Sequence, residues 1–250
     1  MQQRISLAIV ALGVVALLPV GADLQVGPAS VFAPQPAGRG RGAGAPAQGG
    51  GGGEASAPVL VFREPWKLPY NPADITPANR DQIRRVAPGA VTNANLELNL
   101  YGADAKAILA TEHEGRVDIW NGMAASPTAV TLRDKARYFD LTGRARLRWI
   151  IRANALHEVH PVLKLANGTL IVGEGVETGG EFVQMEVAFN TLRWYTLDPQ
   201  KVVTTSAVPN PDLSRVDEIG WADLSPGGGH NSAGWVNVSH MELYGKAVPR

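Results

Sequence analysis

The sequence predicts an all-β protein, a β-sandwich or barrel preceded by a disordered N-terminal segment. Two observations carry that expectation. From Pro58 onward, short segments alternate apolar and polar residues and are separated by Gly, Asn, Asp and Pro turns. Upstream of that point, glycine, alanine and proline dominate, and such a stretch buries too little apolar surface to offset the entropy of ordering.

The first element is Arg4 followed by the apolar run Ile5 to Ala22, broken by Pro19. A positive residue, an apolar stretch and a small-x-small exit predict a secretory signal over residues 1–22, cleaved after Val20-Gly21-Ala22. Val31-Phe32-Ala33 is the alternative exit, and an uncleaved membrane anchor is the alternative role, at the short limit for spanning. Residues 23–57 then read as a flexible linker, with a glycine run at Gly49 to Gly53. The remaining 58–250 suit one sandwich domain.

Within that domain, Val59 to Phe62 is a short apolar opening, and Glu64 to Pro72 reads as extended. Thr76-Pro77 predicts a helix running to about Val86, stopped by Pro88-Gly89. Strands are expected at Asn95–Tyr101, Arg116–Trp120, Thr128–Leu132, Tyr138–Leu141 and Ala145–Arg152. Further strands are expected at Val159–Leu165, Thr169–Val172, Phe182–Phe189, Leu192–Leu197, Glu218–Ala222 and Val236–Tyr244. Asn167-Gly168 marks a hairpin turn.

Composition excludes several functions. The 23 basic and 23 acidic residues cancel, which gives no electrostatic case for nucleic acid or an anionic membrane surface. With no cysteine there is no thiolate catalysis, disulfide or Cys-based zinc site. Neither a G-x-S-x-G elbow nor an H-E-x-x-H motif occurs, and the glycines at 227–229 fit no phosphate-binding loop. His157 and His160, three apart on an extended chain, point to opposite faces and do not share a metal. A structural calcium is compatible with this fold class, but no EF-type loop places one.

Three stretches carry a resemblance. Tyr138 to Gly143 (YFDLTG) leads into the strand Arg144 to Ile151. Asn210 to Trp221 (NPDLSRVDEIGW) introduces a late strand, and Trp235 to Gly245 (WVNVSHMELYG) closes the chain. In this order they resemble galactose-binding-like jelly rolls, particularly family 11 carbohydrate-binding modules. The resemblance covers residues 95–247 and implies an antiparallel jelly-roll β-sandwich. Asp223 to Trp235 is longer than that group leads one to expect, and no ligand residue is carried over.

Strand parity supplies the candidate site. On Ala145–Arg152, Leu147, Trp149 and Ile151 face inward, leaving Arg148 and Arg152 outward. On the next strand His160 and Lys164 face outward. If the two strands share a sheet, these four residues form one cationic face that pairs with hydroxyls or carboxylates, with Gln184 and Glu186 beside it. The plain alternative is a solvated face of cross-strand ion pairs. Trp120 and then Trp235 are the expected sugar-stacking rings, while Trp149 reads as core. His230 and Asn231 sit in a glycine-rich loop suited to a ligand rim, or to a wide turn.

Three functions follow as expectations. The first is a secreted or periplasmic, non-catalytic module recognising a carbohydrate or other extracellular ligand, with no nucleic-acid partner and no membrane association after signal cleavage. The second is a glycoside hydrolase or lyase, which needs paired carboxylates or a His/Arg/Tyr cluster. The third is a structural or adaptor domain of the cell envelope.

Overall fold

The computed structural model describes residues 57–154, 156–225 and 234–250. The expectations for residues 1–22, for most of the linker, and for His230 and Asn231 lie outside the described residues. The strands are β1 (Val59–Glu64), β2 (Leu96–Tyr101), β3 (Leu109–His113), β4 (Arg116–Trp120) and β5 (Thr128–Asp134). They continue as β6 (Arg137–Asp140), β7 (Arg146–Asn154), β8 (Glu158–Leu165), β9 (Leu170–Gly173) and β10 (Val176–Glu177). The last are β11 (Val183–Ala188), β12 (Trp194–Leu197), β13 (Thr204–Ala207), β14 (Val216–Asp223) and β15 (Trp235–Pro249).

These strands pair antiparallel in two layers, the jelly-roll sandwich that the resemblance implies. In the first layer β15 is central. One edge of it pairs with β7, and β7 with β11. Its other edge pairs with β4 near Asn237 and with β1 from Met241 to Gly245, and β3 lies beyond β4. The second layer runs β2-β5-β14-β8-β9-β12-β13, with β10 on the start of β8. β15 outlasts the first layer, and its residues Lys246 to Pro249 pair with β6, which also touches β14. A strand that changes sheets in this way closes a corner of the sandwich.

The core lies between the layers and follows the alternation in the sequence. Leu147, Trp149 and Ile151 are fully buried, and meet Val236, Val238, Met241 and Leu243 of β15 and Leu163, Ile219 and Trp221 of the second layer. Each such side chain contributes roughly 1.5–3 kcal/mol by leaving water. A smaller apolar cluster, including Val162, Leu170, Val172, Leu197 and Val202, sits on the opposite side of the second layer.

Local differences from the expectations have identifiable causes. The helix expected from Thr76 is a single turn, Arg80–Ile83. Asn79 Oδ1 accepts from the Thr76 amide instead of leaving a helical start there. Beyond the turn, the Arg84 carbonyl and the Val86 amide bond to Ala110 and Ile108, which holds the chain extended. β3, β10 and β13 were not expected, since none of them alternates; Leu109, Ala110 and Thr111 are all buried.

β14 is packed from both sides, and a Cβ on its Gly220 would overlap the Val130 carbonyl and crowd the Thr131 Cα. Backbone of the paired strand cannot give way as a flexible side chain would. Gly220→Ala is therefore expected to destabilise the domain by about 3 kcal/mol, the upper end for overpacking. Urea unfolding followed by tryptophan fluorescence measures this as a lower midpoint at unchanged slope.

Candidate functional site

The single cationic face expected from parity does not form. β7 belongs to the first layer and β8 to the second, so Arg148 and Arg152 lie on one outer surface and His160 and Lys164 on the other. The parity within each strand is as expected; the chain between Asn154 and Glu158 crosses from one layer to the other. The outer face of the first layer keeps Arg148, Arg152 and Trp235 of the expected residues, and gathers others from five strands.

At one end of this face, Arg152 stands opposite Asn237 of β15. Its guanidinium lies 4.7 Å from the Trp235 ring centre and 4.6 Å from that of Phe182. Arg116 of β4 lies over the same Phe182 ring at 5.9 Å. The result is an alternating stack, Trp235, Arg152, Phe182, Arg116, in which cation and ring attract through the ring quadrupole. Arg152 Nε donates to Asn237 Oδ1 at 3.3 Å, which fixes the plane of the guanidinium. Phe182 and Arg116 were not singled out in the sequence. They meet only because β4 and β11 flank the same central pair of strands.

Beneath the stack Asp118 is fully buried and satisfied. It accepts from Thr111 Oγ1 and Asn237 Nδ2, both at 2.6 Å, and its other oxygen meets His113 Nδ1 at 2.7 Å. Asn237 thus links a buried carboxylate to the half-buried Arg152.

The other end of the face centres on Glu242. Arg63 and Arg148 approach it, Tyr244 donates to it at 2.7 Å, and His240 Nε2 lies 3.2 Å away. Burial works to raise the Glu242 pKa, but the hydrogen bonds of Tyr244 and His240 and the charge of Arg63 outweigh it and bring it down to about 2. Arg148 also pairs with Glu186, and Arg146 lies 3.2 Å from Glu186 and over the Tyr244 ring. This end is a set of interlocking ion pairs.

The remaining expected residues have other duties. Trp120 is only 5% exposed, because the chain folds back over its indole at Gly122, where a Cβ would overlap the ring. It is therefore core, which corrects the expectation that it stacks on a sugar. Lys164 is paired at 2.8 Å with Glu218, itself held by Tyr101 and Thr131. Burial and the Glu218 bond push the Tyr101 pKa up to about 12. His160 is held between Glu158 and the Gly173 carbonyl in a shallow recess. His157, not expected to matter, is buried against Asp223 at 2.6 Å, and Asp223 also accepts from Asn121.

A groove of about 670 Å³ opens elsewhere, between Leu141, Phe189, Trp194 and Leu213. Several of its polar groups are engaged. Arg193 pairs with Glu174, Trp194 Nε1 donates to the Phe189 carbonyl, and Asp212 accepts from Ser214. Among the described residues no group of three or more His, Asp or Glu side chains is arranged to hold a metal ion.

No protein-family model and no curated protein sequence matches the chain. Solved structures do. A family 29 carbohydrate-binding module complexed with cellulohexaose is 14% identical, over 64% of this chain and 87% of the module, with a TM-score of 0.41. The family 11 carbohydrate-binding module of a cellulosomal cellulase of Clostridium thermocellum is also 14% identical, over 62% of this chain and 85% of the module, with a TM-score of 0.36. At this level the likeness concerns strand layout alone.

Two outcomes follow from the geometry. Trp120→Ala is expected to cost about 3–5 kcal/mol of stability, as for other buried tryptophans. Chemical denaturation measures it, and a native-like midpoint would mean that the ring is not core. Glu242, with a folded pKa near 2 against an unfolded value near 4.5, stabilises the domain fully above about pH 4.5. On the order of 3 kcal/mol is lost as pH falls toward 2. Thermal melts from about pH 5 down to about pH 2 should show a fall that Glu242→Gln largely lacks.

Proposed function

We propose that the sandwich is a non-catalytic carbohydrate-binding module, exported from the cytoplasm, that takes its ligand on the outer face of the first layer. The observation that carries this reading is the stack of Trp235, Arg152, Phe182 and Arg116 along that face. Trp235 is half-buried, so its indole is fixed by the sheet while part of its surface remains open to solvent. A flat ring of that kind covers the apolar face of a pyranose, and its N–H and the neighbouring guanidinium reach the equatorial hydroxyls. Asn237 and the buried Asp118 hold the arrangement before any ligand arrives, which lowers the entropy cost of binding.

Hydrolysis finds less support on this face. A general acid needs a carboxyl with a raised pKa, and the Glu242 carboxyl is held near 2 by its donors. Glu186 is engaged by Arg148 and Arg146. Export rests on the signal-like residues 1–22.

The reading is tested by titrating the full chain with a panel of plant and microbial glycans while following tryptophan fluorescence, and assaying the same mixtures for released sugars. Saturable quenching without product is expected. Trp235→Ala should weaken binding about tenfold, the larger end of an aromatic contact's worth, with little change in melting temperature. Binding that is indifferent to this substitution, or product release, would overturn the reading.

A further inference from the structure

The charge on this face is not evenly satisfied. Arg63, Arg146 and Arg148 are each within ion-pair distance of Glu242 or Glu186. Arg116 and Arg152 have no carboxylate partner among the described residues, although both lie on the same face. The carboxylate nearest to Arg152 through a hydrogen-bonded path is Asp118, and its oxygens are already taken by Thr111, His113 and Asn237. Two guanidiniums therefore flank the Phe182 ring with their charge uncompensated.

Stacking changes what such a guanidinium can do. The rings of Phe182 and Trp235 lie 4.6 and 4.7 Å from the Arg152 guanidinium carbon and hold it in place without a carboxylate. Nε is spent on Asn237. The terminal N–H groups have no hydrogen-bond partner among the described residues, and they form a planar fork, the geometry that matches the two oxygens of a carboxylate. Resting on the proposed carbohydrate function, we infer that the ligand is an acidic polysaccharide whose uronate carboxylate is bound in the fork of Arg152, with Arg116 as the second cation, while Trp235 covers an adjoining sugar ring. Charge complementarity selects this occupant. A neutral glucan would leave both guanidiniums unpaired beneath it, and burying an unpaired charge is costly.

The experiment compares four oligosaccharides of equal length by calorimetric titration of the full chain: oligogalacturonate, its methyl ester, cellohexaose and sulfated cellohexaose. The acid should bind about tenfold or more tightly than either neutral probe, as expected of a charge-assisted bidentate pair. That preference should shrink as sodium chloride rises from about 50 to about 500 mM. Arg152→Lys keeps the charge and removes the fork, so it should abolish most of the preference for the acid over its ester. A melting temperature near that of the unchanged protein excludes simple unfolding. Equal or tighter binding of the neutral probes, still dependent on Trp235, would overturn this inference and leave the carbohydrate function standing. Preference for a sulfated glycan over the uronate would also overturn it. Binding of no glycan at all would remove both.

Discussion

The face depends on one irregularity in β15. Between Val238 and His240 the register against β7 slips by a residue, so that Val238 lies opposite Ile151 and His240 opposite Ile150. Before the slip, Val236 and Val238 point inward and Trp235 and Asn237 outward. After it, Met241 and Leu243 point inward and His240, Glu242 and Tyr244 outward. Without the extra residue, strict alternation would carry three polar side chains into the core and two apolar ones into water. The bulge lets a single strand place four residues in one interior and, on its other side, supply both the stacked end of the face and its ion-paired end.

That slip is legible in the sequence as a change of phase. Val236 and Val238 are even-numbered, Met241 and Leu243 odd-numbered, and Ser239-His240 stands between them. Within each strand, parity was enough to place Leu147, Trp149, Leu163 and the outward Arg148 and Arg152. Which layer a strand joins was not legible, because alternation describes a strand's two sides and not its neighbours. The segment between β7 and β8, Ala155-Leu156-His157, could return in the same sheet or cross to the other, and it carries no turn signal that decides between the two. Trp120 misled for a similar reason. Its place beside Asn121-Gly122 looked like a loop rim, but Gly122 allows the backbone to lie directly on the indole. Phe182 and Arg116 had no local signal, since each matters only through a partner far away in sequence.

The two ends of the face solve the same electrostatic problem differently. Around Glu242, cations and carboxylates lie close enough to cancel, and each residue's orientation is locked by at least one partner. Such a network specifies geometry and has little capacity left for another molecule. Around Arg152 the cation is steadied by rings and an amide. These hold it in place without neutralising it, because the quadrupole attraction is weaker than an ion pair, and the terminal N–H groups have no partner among the described residues. Order without neutralisation is the state in which a charged group retains most of its affinity for an incoming ion.

This difference also explains why the larger groove is the weaker candidate for polar recognition. Between Phe189, Trp194 and Leu213 the volume is greater, but Arg193, Asp212 and the Trp194 indole N–H have already found partners within the domain. A polar ligand that used those three groups would first have to displace their bonds. On the open sheet no exchange is required. The stacked guanidinium gives up only water, and the shallow surface allows a chain longer than any closed cavity would admit. On this face, capacity for an extended, charged polymer therefore follows from a cation that is held in place without a carboxylate, rather than from the volume of a groove.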